Sequence, residues 1–468
     1  MTGVAQHSYY SENSFASGQT KRPRGPRPKR KSQDAEDVAS QQRSLAEDLK
    51  AQAIAEYLNN HLTIPKEQPS LLRATDSDLL PLWTAKGEYP ILDHAVSAMA
   101  LVLYSRIHNC PPAATEACLE YEQLLQIVRK STPELNESSI DSYLLAIFFM
   151  ARYEDAVHPS DNDTPERIFS GVQYTSFEHH DGALAALALW KEKLSDVKRP
   201  STIMKHTRRG LIRSALLRKT ALPDFLLDGA AYGEQGIDFE YDNIVVRIVH
   251  IRERLAELLK LQQGVDIDCH ARHATLEALE KEAQTIDKDL HDLPTRFPSA
   301  WAYKRHTTPE SFSTSSYPTP EFLRPIVYTC SSVEYAGVWA LYFATRILVN
   351  ETRLETLDAA KFLPYELSLG CHSILKTTAD DLASILPFCL GNIKLVQHKN
   401  IPESIEVLPK EDFLFSDIRL LVWPLSLAVG FDHLDREQRS WFGALLVRIG
   451  KAFGFGILES AGSSVNEV

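Results

Sequence analysis

From residue 44 to residue 453 the apolar residues recur three and four positions apart in long runs, rather than in alternation. That spacing places them on one face of an α-helix, so the chain is expected to fold as an all-α, multi-helix protein. In SLAEDLKAQAIAEYLNNHL (residues 44–62), Leu45, Leu49, Ala53 and Tyr57 share a face. LDHAVSAMALVLYSRI (residues 92–107) is apolar almost all round and reads as a buried helix. The same periodicity predicts helices over 114–130, 138–156, 179–195, 202–218, 241–263, 267–290, 324–350, 366–386, 415–431 and 435–453. These ranges amount to about twelve helices and no convincing sheet.

Breaker residues punctuate the helices in NCPPA (109–113), HPSDNDTPE (158–166) and LPDFLLDG (222–229). TTPESFSTSSYPTPE (307–321) has aliphatic residues only at its edges and reads as a surface loop or as a linker between two helical halves. The expected organisation is a basic disordered segment over 1–43, a helical half over 44–306, this loop, a second helical half over 322–460 and a disordered end over 461–468. No internal repeat of fixed period is present. Trp339, Tyr342, Phe343, Trp423, Trp441, Leu445 and Ile449 are expected to share one apolar core in the second half.

The chain has 468 residues, of which 44% are hydrophobic, enough for a large interior. No run approaches the roughly 18 apolar residues of a membrane span, and no apolar core follows the charges near Met1. Neither a span nor a secretory signal is expected, and an intracellular protein is. Cys110, Cys118, Cys269, Cys330, Cys371 and Cys389 form no C-x-x-C pair and read as reduced core thiols.

The net charge is −12, yet KRPRGPRPKRK (21–31) gathers Lys21, Arg22, Arg24, Arg27, Lys29, Arg30 and Lys31. Residues 1–31 hold seven Lys/Arg against one acid, which leaves −18 on the remainder. The body repels nucleic acid and only this segment attracts it. Three readings stay open. The favoured one is a nuclear address in an extended chain, read by an import receptor and densest over Lys29, Arg30 and Lys31. The second is weak contact with duplex DNA, because RPRGPRPKR resembles an AT-hook in which Pro26 separates Gly25 from Arg27. The third is a solvated basic tail.

No catalytic constellation is expected. His179-His180-Asp181-Gly182 reads as the capped and solvated first turn of a helix. Asp266, Asp268, Cys269, His270 and His273 have partial metal-ligand spacing but no second cluster to complete four ligands, so neither metal nor cofactor is expected. GKAFGFG (450–456) reads as glycines that end a helix rather than a phosphate loop.

Two regions carry a family likeness. The first is HHDGALAALALWKEKL (179–194) followed by HTRRGLIRSALLRKTALPDFL (206–226). The second is EYAGVWALYFATRILVNETRL (334–354), then ILPFCLG (385–391), LLVWPLSLAVGF (420–431) and WFGALLVRIGKAFGFG (441–456). In this order, over residues 45–460, the chain resembles the fungal-specific transcription factor domain. The resemblance implies an all-α regulatory domain, a nuclear location and control of a metabolic or secondary-metabolite gene set. In that family the domain follows a zinc cluster built on six cysteines, whereas no cysteine here precedes Cys110. DNA reading is therefore expected through a partner, a zinc-cluster factor or a second copy of the chain, or through a cluster upstream of the sequence given. The competing reading is a helical adaptor without DNA contact, with a helical enzyme less favoured.

Overall fold

The computed structural model describes residues 32–468 apart from 63–68, 74–78, 84–89, 158–166, 197–198, 262–268, 309–316, 361, 397–403, 409–418 and 462–468. The described residues are predominantly helical, as the periodicity requires. The N-terminal helices are α1 Ser32–His61, the short α2 Leu79–Trp83, α3 Pro90–Ile107, α4 Pro111–Ser131, α5 Ile140–Val157 and α6 Arg167–Lys193. Then come α7 Thr202–Arg218, α8 Gly236–Leu261, α9 Cys269–Asp292, α10 Val333–Ala359 and α11 Tyr365–Cys389. The chain closes with α12 Arg419–Val429, α13 Arg436–Phe453 and the single turn α14 Gly456–Glu459. It divides into a unit up to Asp48, of which the N-terminal part of α1 is described, and a unit from Leu49 onward that holds all other elements.

Several boundaries differ from the periodic reading for local reasons. Helix α1 begins at Ser32, not residue 44, so the segment expected to be disordered through residue 43 is helical over its last dozen positions. SQDAEDVASQQR is rich in Ala, Gln and Asp; it forms a helix without an apolar stripe and so carries no periodic signature. Helix α6 starts at Arg167, twelve residues ahead of His179, so His179 to Gly182 lie inside a helix rather than at its capped start.

Beside the helices stand two small antiparallel pairs, β1 Lys304–Thr307 with β2 Ile326–Thr329, and β3 Ile393–Val396 with β4 Ser404–Val407, which leave the fold all-α. Residues 324–350 were expected to be one helix. Pro325 disfavours helical geometry at Arg324, Ile326 to Thr329 are β-branched or aromatic, and Ser332 caps α10 by accepting the Tyr335 amide at 3.4 Å.

The β1–β2 pairing brings the ends of the Ser/Thr/Pro-rich stretch together, with Lys304 opposite Thr329 and Thr307 opposite Ile326. The end of that stretch is also fastened to α13. Trp441 Nε1 donates to the Thr319 carbonyl at 2.8 Å and Arg448 to the Pro320 carbonyl at 3.1 Å.

Helix α10 is the spine of the larger unit: from Ala336 to Leu357 nearly every side chain is buried, against α8, α9, α11 and α12. All seven residues expected in one core are there, with Tyr342, Phe343, Trp441, Leu445 and Ile449 buried and Trp339 and Trp423 packed at the margin. Gly454 ends α13 with φ 74°, as the glycine pattern predicts, and its amide donates to the Gly450 carbonyl. Among the described residues no helix is long and apolar enough to cross a membrane.

Candidate functional site

The α10 spine buries polar groups as well as apolar ones, and α7 faces it with a set of arginines. Helix α7 is capped by Ser201, whose hydroxyl accepts the Met204 amide at 3.2 Å and donates to Asp141 at 2.6 Å. This fixes the rotation of a helix carrying Arg208, Arg209 and Arg213. Adjacent residues on a helix diverge by about 100°, whereas residues four apart share a face, so Arg209 and Arg213 point the same way and Arg208 does not.

Arg208 is fully buried. Its guanidinium forks Asp242 of α8 at 2.7 and 2.9 Å, donates to the Leu226 carbonyl at 2.7 Å and lies 5.4 Å from the Tyr232 ring centre. Arg209 forks Glu234 at 2.7 and 2.6 Å, reaches Asp238 at 3.4 Å and donates to the Ser70 carbonyl.

Arg213 is different. Its guanidinium stands 5.4 Å from the centre of the Trp423 ring, and among the described residues it makes no hydrogen bond or ion pair. Burial chiefly, against the opposing effect of Tyr241 and with the nearby charge of Arg209, lowers the proton affinity of this guanidinium.

These side chains surround a cavity of about 40 Å³ between α7, α8, α10 and α12. That is room for two to four water-sized groups, at ~10–15 Å³ each. Its polar lining is Arg209, Arg213, Asp238, Tyr241, Asp242 and Thr345; the rest of the wall is aliphatic apart from Trp423. The Tyr241 hydroxyl and Thr345 Oγ1 are 2.7 Å apart, and burial raises the Tyr241 proton affinity, so the phenol stays neutral. Among the described residues the cavity therefore offers a guanidinium without a carboxylate partner, an aromatic plate beside it, a hydroxyl pair and an aliphatic wall.

The other sequence-selected residues are dispersed. Lys21, Arg22, Arg24, Arg27, Lys29, Arg30 and Lys31 lie outside the described residues, as do Asp266 and Asp268. The His179–Asp181 run sends its side chains three ways. His179 Nε2 sits 2.9 Å from Glu154 of α5, which also accepts the Tyr121 hydroxyl at 2.6 Å. His180 turns inward, where burial first and the Arg218 charge second press its pKa down to about 4. Asp181 pairs with Arg218 at 2.8 Å on the surface. His273 stacks on Phe362 with ring centres 3.9 Å apart. No three His, Cys, Asp or Glu side chains gather as a metal set among the described residues.

The cleft itself was not selected from sequence. Its signal was present in RRGLIR, three arginines within six helical residues beside Leu211 and Ile212, because arginines so close to apolar neighbours need carboxylates from neighbouring elements.

Comparison with protein-family models, curated protein sequences and solved structures finds no match to this chain.

Proposed function

We propose that the chain is a nuclear transcription regulator of the fungal-specific type, a helical body that acts at genes through protein partners. The observation that supports this best is the meeting of the two segments that resemble the family. Arg213 of the first lies over Trp423 of the W-P-L helix in the second, and Thr345 and Leu348 of α10 complete the same wall. Segments some two hundred residues apart thus form one body, as expected of a single regulatory domain.

A role in binding rather than catalysis is supported by how the buried charges are spent. Arg208–Asp242 at 2.7 Å and Arg353–Glu280 at 2.7 Å pair with one another and hold helices together. The partner route is favoured because the −18 charge of residues 32–468 opposes direct contact with phosphates.

The test is location. Replacing Lys29, Arg30 and Lys31 with alanine in a full-length fluorescent fusion shifts the signal from nucleus to cytoplasm. An unchanged nuclear signal would remove the import role assigned to this segment, and a cytoplasmic wild-type fusion would remove the nuclear reading.

One observation favours the second reading, a helical adaptor without DNA contact. Phe362, Tyr365 and Leu369 are 43%, 71% and 51% exposed at the α10–α11 turn, with Tyr365 and Leu369 four apart on one helix face. An adaptor would lose its partner on Tyr365→Asp and would show no association with chromatin.

A further inference from the structure

A guanidinium taken out of bulk water without a counter-charge is a standing cost, and proteins ordinarily remove it by pairing or by exposing the group fully. The α7 arginines show both outcomes side by side. Arg208 and Arg209 each hold a carboxylate in a fork, while the half-buried Arg213, one helical turn beyond Arg209, faces a cavity with the Trp423 ring beside it and no ion-pair partner among the described residues. Cation–π contact recovers part of the lost hydration, and no described residue fills the N–H fork.

The cavity limits what can fill that fork. Asp238 and Asp242 also line it and oppose any added anion, and the cost of desolvating a ligand rises faster with its charge than the attraction of Arg213, so a monoanion is favoured over a dianion. The volume of about 40 Å³ admits a small head and a short body. Ile212, Leu216, Val245 and Leu348 give that body an aliphatic wall, and the Tyr241–Thr345 hydroxyl pair lies within the same lining.

We propose that the cleft between α7, α8, α10 and α12 is a binding site for a small aliphatic monocarboxylate, its carboxylate forked by Arg213 under Trp423 and its tail against Ile212, Leu216, Val245 and Leu348. The site stands on the geometry of the larger unit alone and does not depend on any role at genes.

The test is calorimetric titration of the full-length chain with butyrate, with its neutral isostere butyramide and with inorganic phosphate. Butyrate binds and butyramide does so at least tenfold more weakly, since the two differ only in the charge that Arg213 reads. Phosphate binds more weakly than butyrate because of Asp238 and Asp242. Arg213→Gln weakens butyrate at least tenfold, and Arg213→Lys falls between, keeping the charge and losing the fork.

A second measurement keeps the outcome clear if binding is lost. The melting temperature of ligand-free Arg213→Met equals or exceeds that of the wild type, because an unpaired guanidinium has been replaced by an apolar chain of similar volume. Equal affinity for butyrate and butyramide, tighter binding of phosphate, no binding of butyrate, or a large loss of melting temperature in ligand-free Arg213→Met would each overturn the assignment.

Discussion

Arg208 carries the most consequence among the individual residues, because it is large, charged and fully buried. Arg208→Met leaves Asp242 buried without its partner and should cost about 3–5 kcal/mol in denaturant unfolding. Arg208→Met with Asp242→Leu should recover much of that loss, since apolar replacement of both partners removes the desolvation cost along with the attraction.

His433 governs the response to alkali. Its two ring nitrogens lie 2.8 Å from Glu351 and 2.8 Å from Asp358, so the imidazolium joins the α12–α13 turn to α10. The Glu351 hydrogen bond chiefly, against the opposing effect of burial, lifts the pKa to about 9. A pKa raised on folding gives stability that is complete below the unfolded value near 6.5 and is lost as pH rises through 9. With screening at the Asp358 end, the loss should be about 1–2 kcal/mol between those limits. His433→Gln should flatten the stability profile over the same window and lower stability by about that amount on its acid side, where the slope stays as in the wild type.

Helices end and pack according to what their glycines permit, and two of them should respond in opposite directions. At Gly450 an added Cβ would meet Leu458 Cβ at 2.9 Å, the Glu459 amide at 2.9 Å and the Phe455 carbonyl at 3.0 Å, because α14 folds back onto α13. None of these is a flexible side-chain end, so Gly450→Ala should cost about 1–3 kcal/mol in thermal or denaturant unfolding. Gly210 sits inside α7 with nothing within 4 Å of such a Cβ. Gly210→Ala should therefore stabilise by about 0.5–1 kcal/mol through helix propensity.

The same scale shows what could be read from the sequence. Helices with an apolar stripe, such as α13, were legible almost to the residue, since period and terminating glycines agree there. Helix α1 before residue 44 was not, because polar helix formers carry no stripe. The strands were missed because four residues complete barely two cycles of alternation and β2 runs directly into the α10 pattern.

Across the whole molecule, the core was legible and the cleft was not, for one physical reason. Apolar residues announce burial by themselves, whereas a buried charge becomes intelligible only when its partner is known. VNETRL in α10 reads as the polar edge of an aromatic helix, yet Asn350, Glu351, Thr352 and Arg353 are all buried. Their partners lie far away in the chain: Arg353 pairs with Glu280 at 2.7 Å, Asn350 with Asp287 at 2.9 Å and Thr352 with Arg252 at 2.8 Å. In the same way Arg213 is unremarkable in RRGLIR until Trp423 and the cavity are placed beside it.

The assembled body brings segments some two hundred residues apart to one cleft, and under the proposed function this body, not the basic segment, would hold the protein at genes. The most direct measurement is genome-wide chromatin occupancy of the full chain with Lys21, Arg22, Arg24, Arg27, Lys29, Arg30 and Lys31 replaced by alanine and an unrelated import signal fused to its C-terminus. Discrete promoter occupancy matching that of the wild type is the predicted result. Entry into the nucleus with occupancy reduced to background would contradict it.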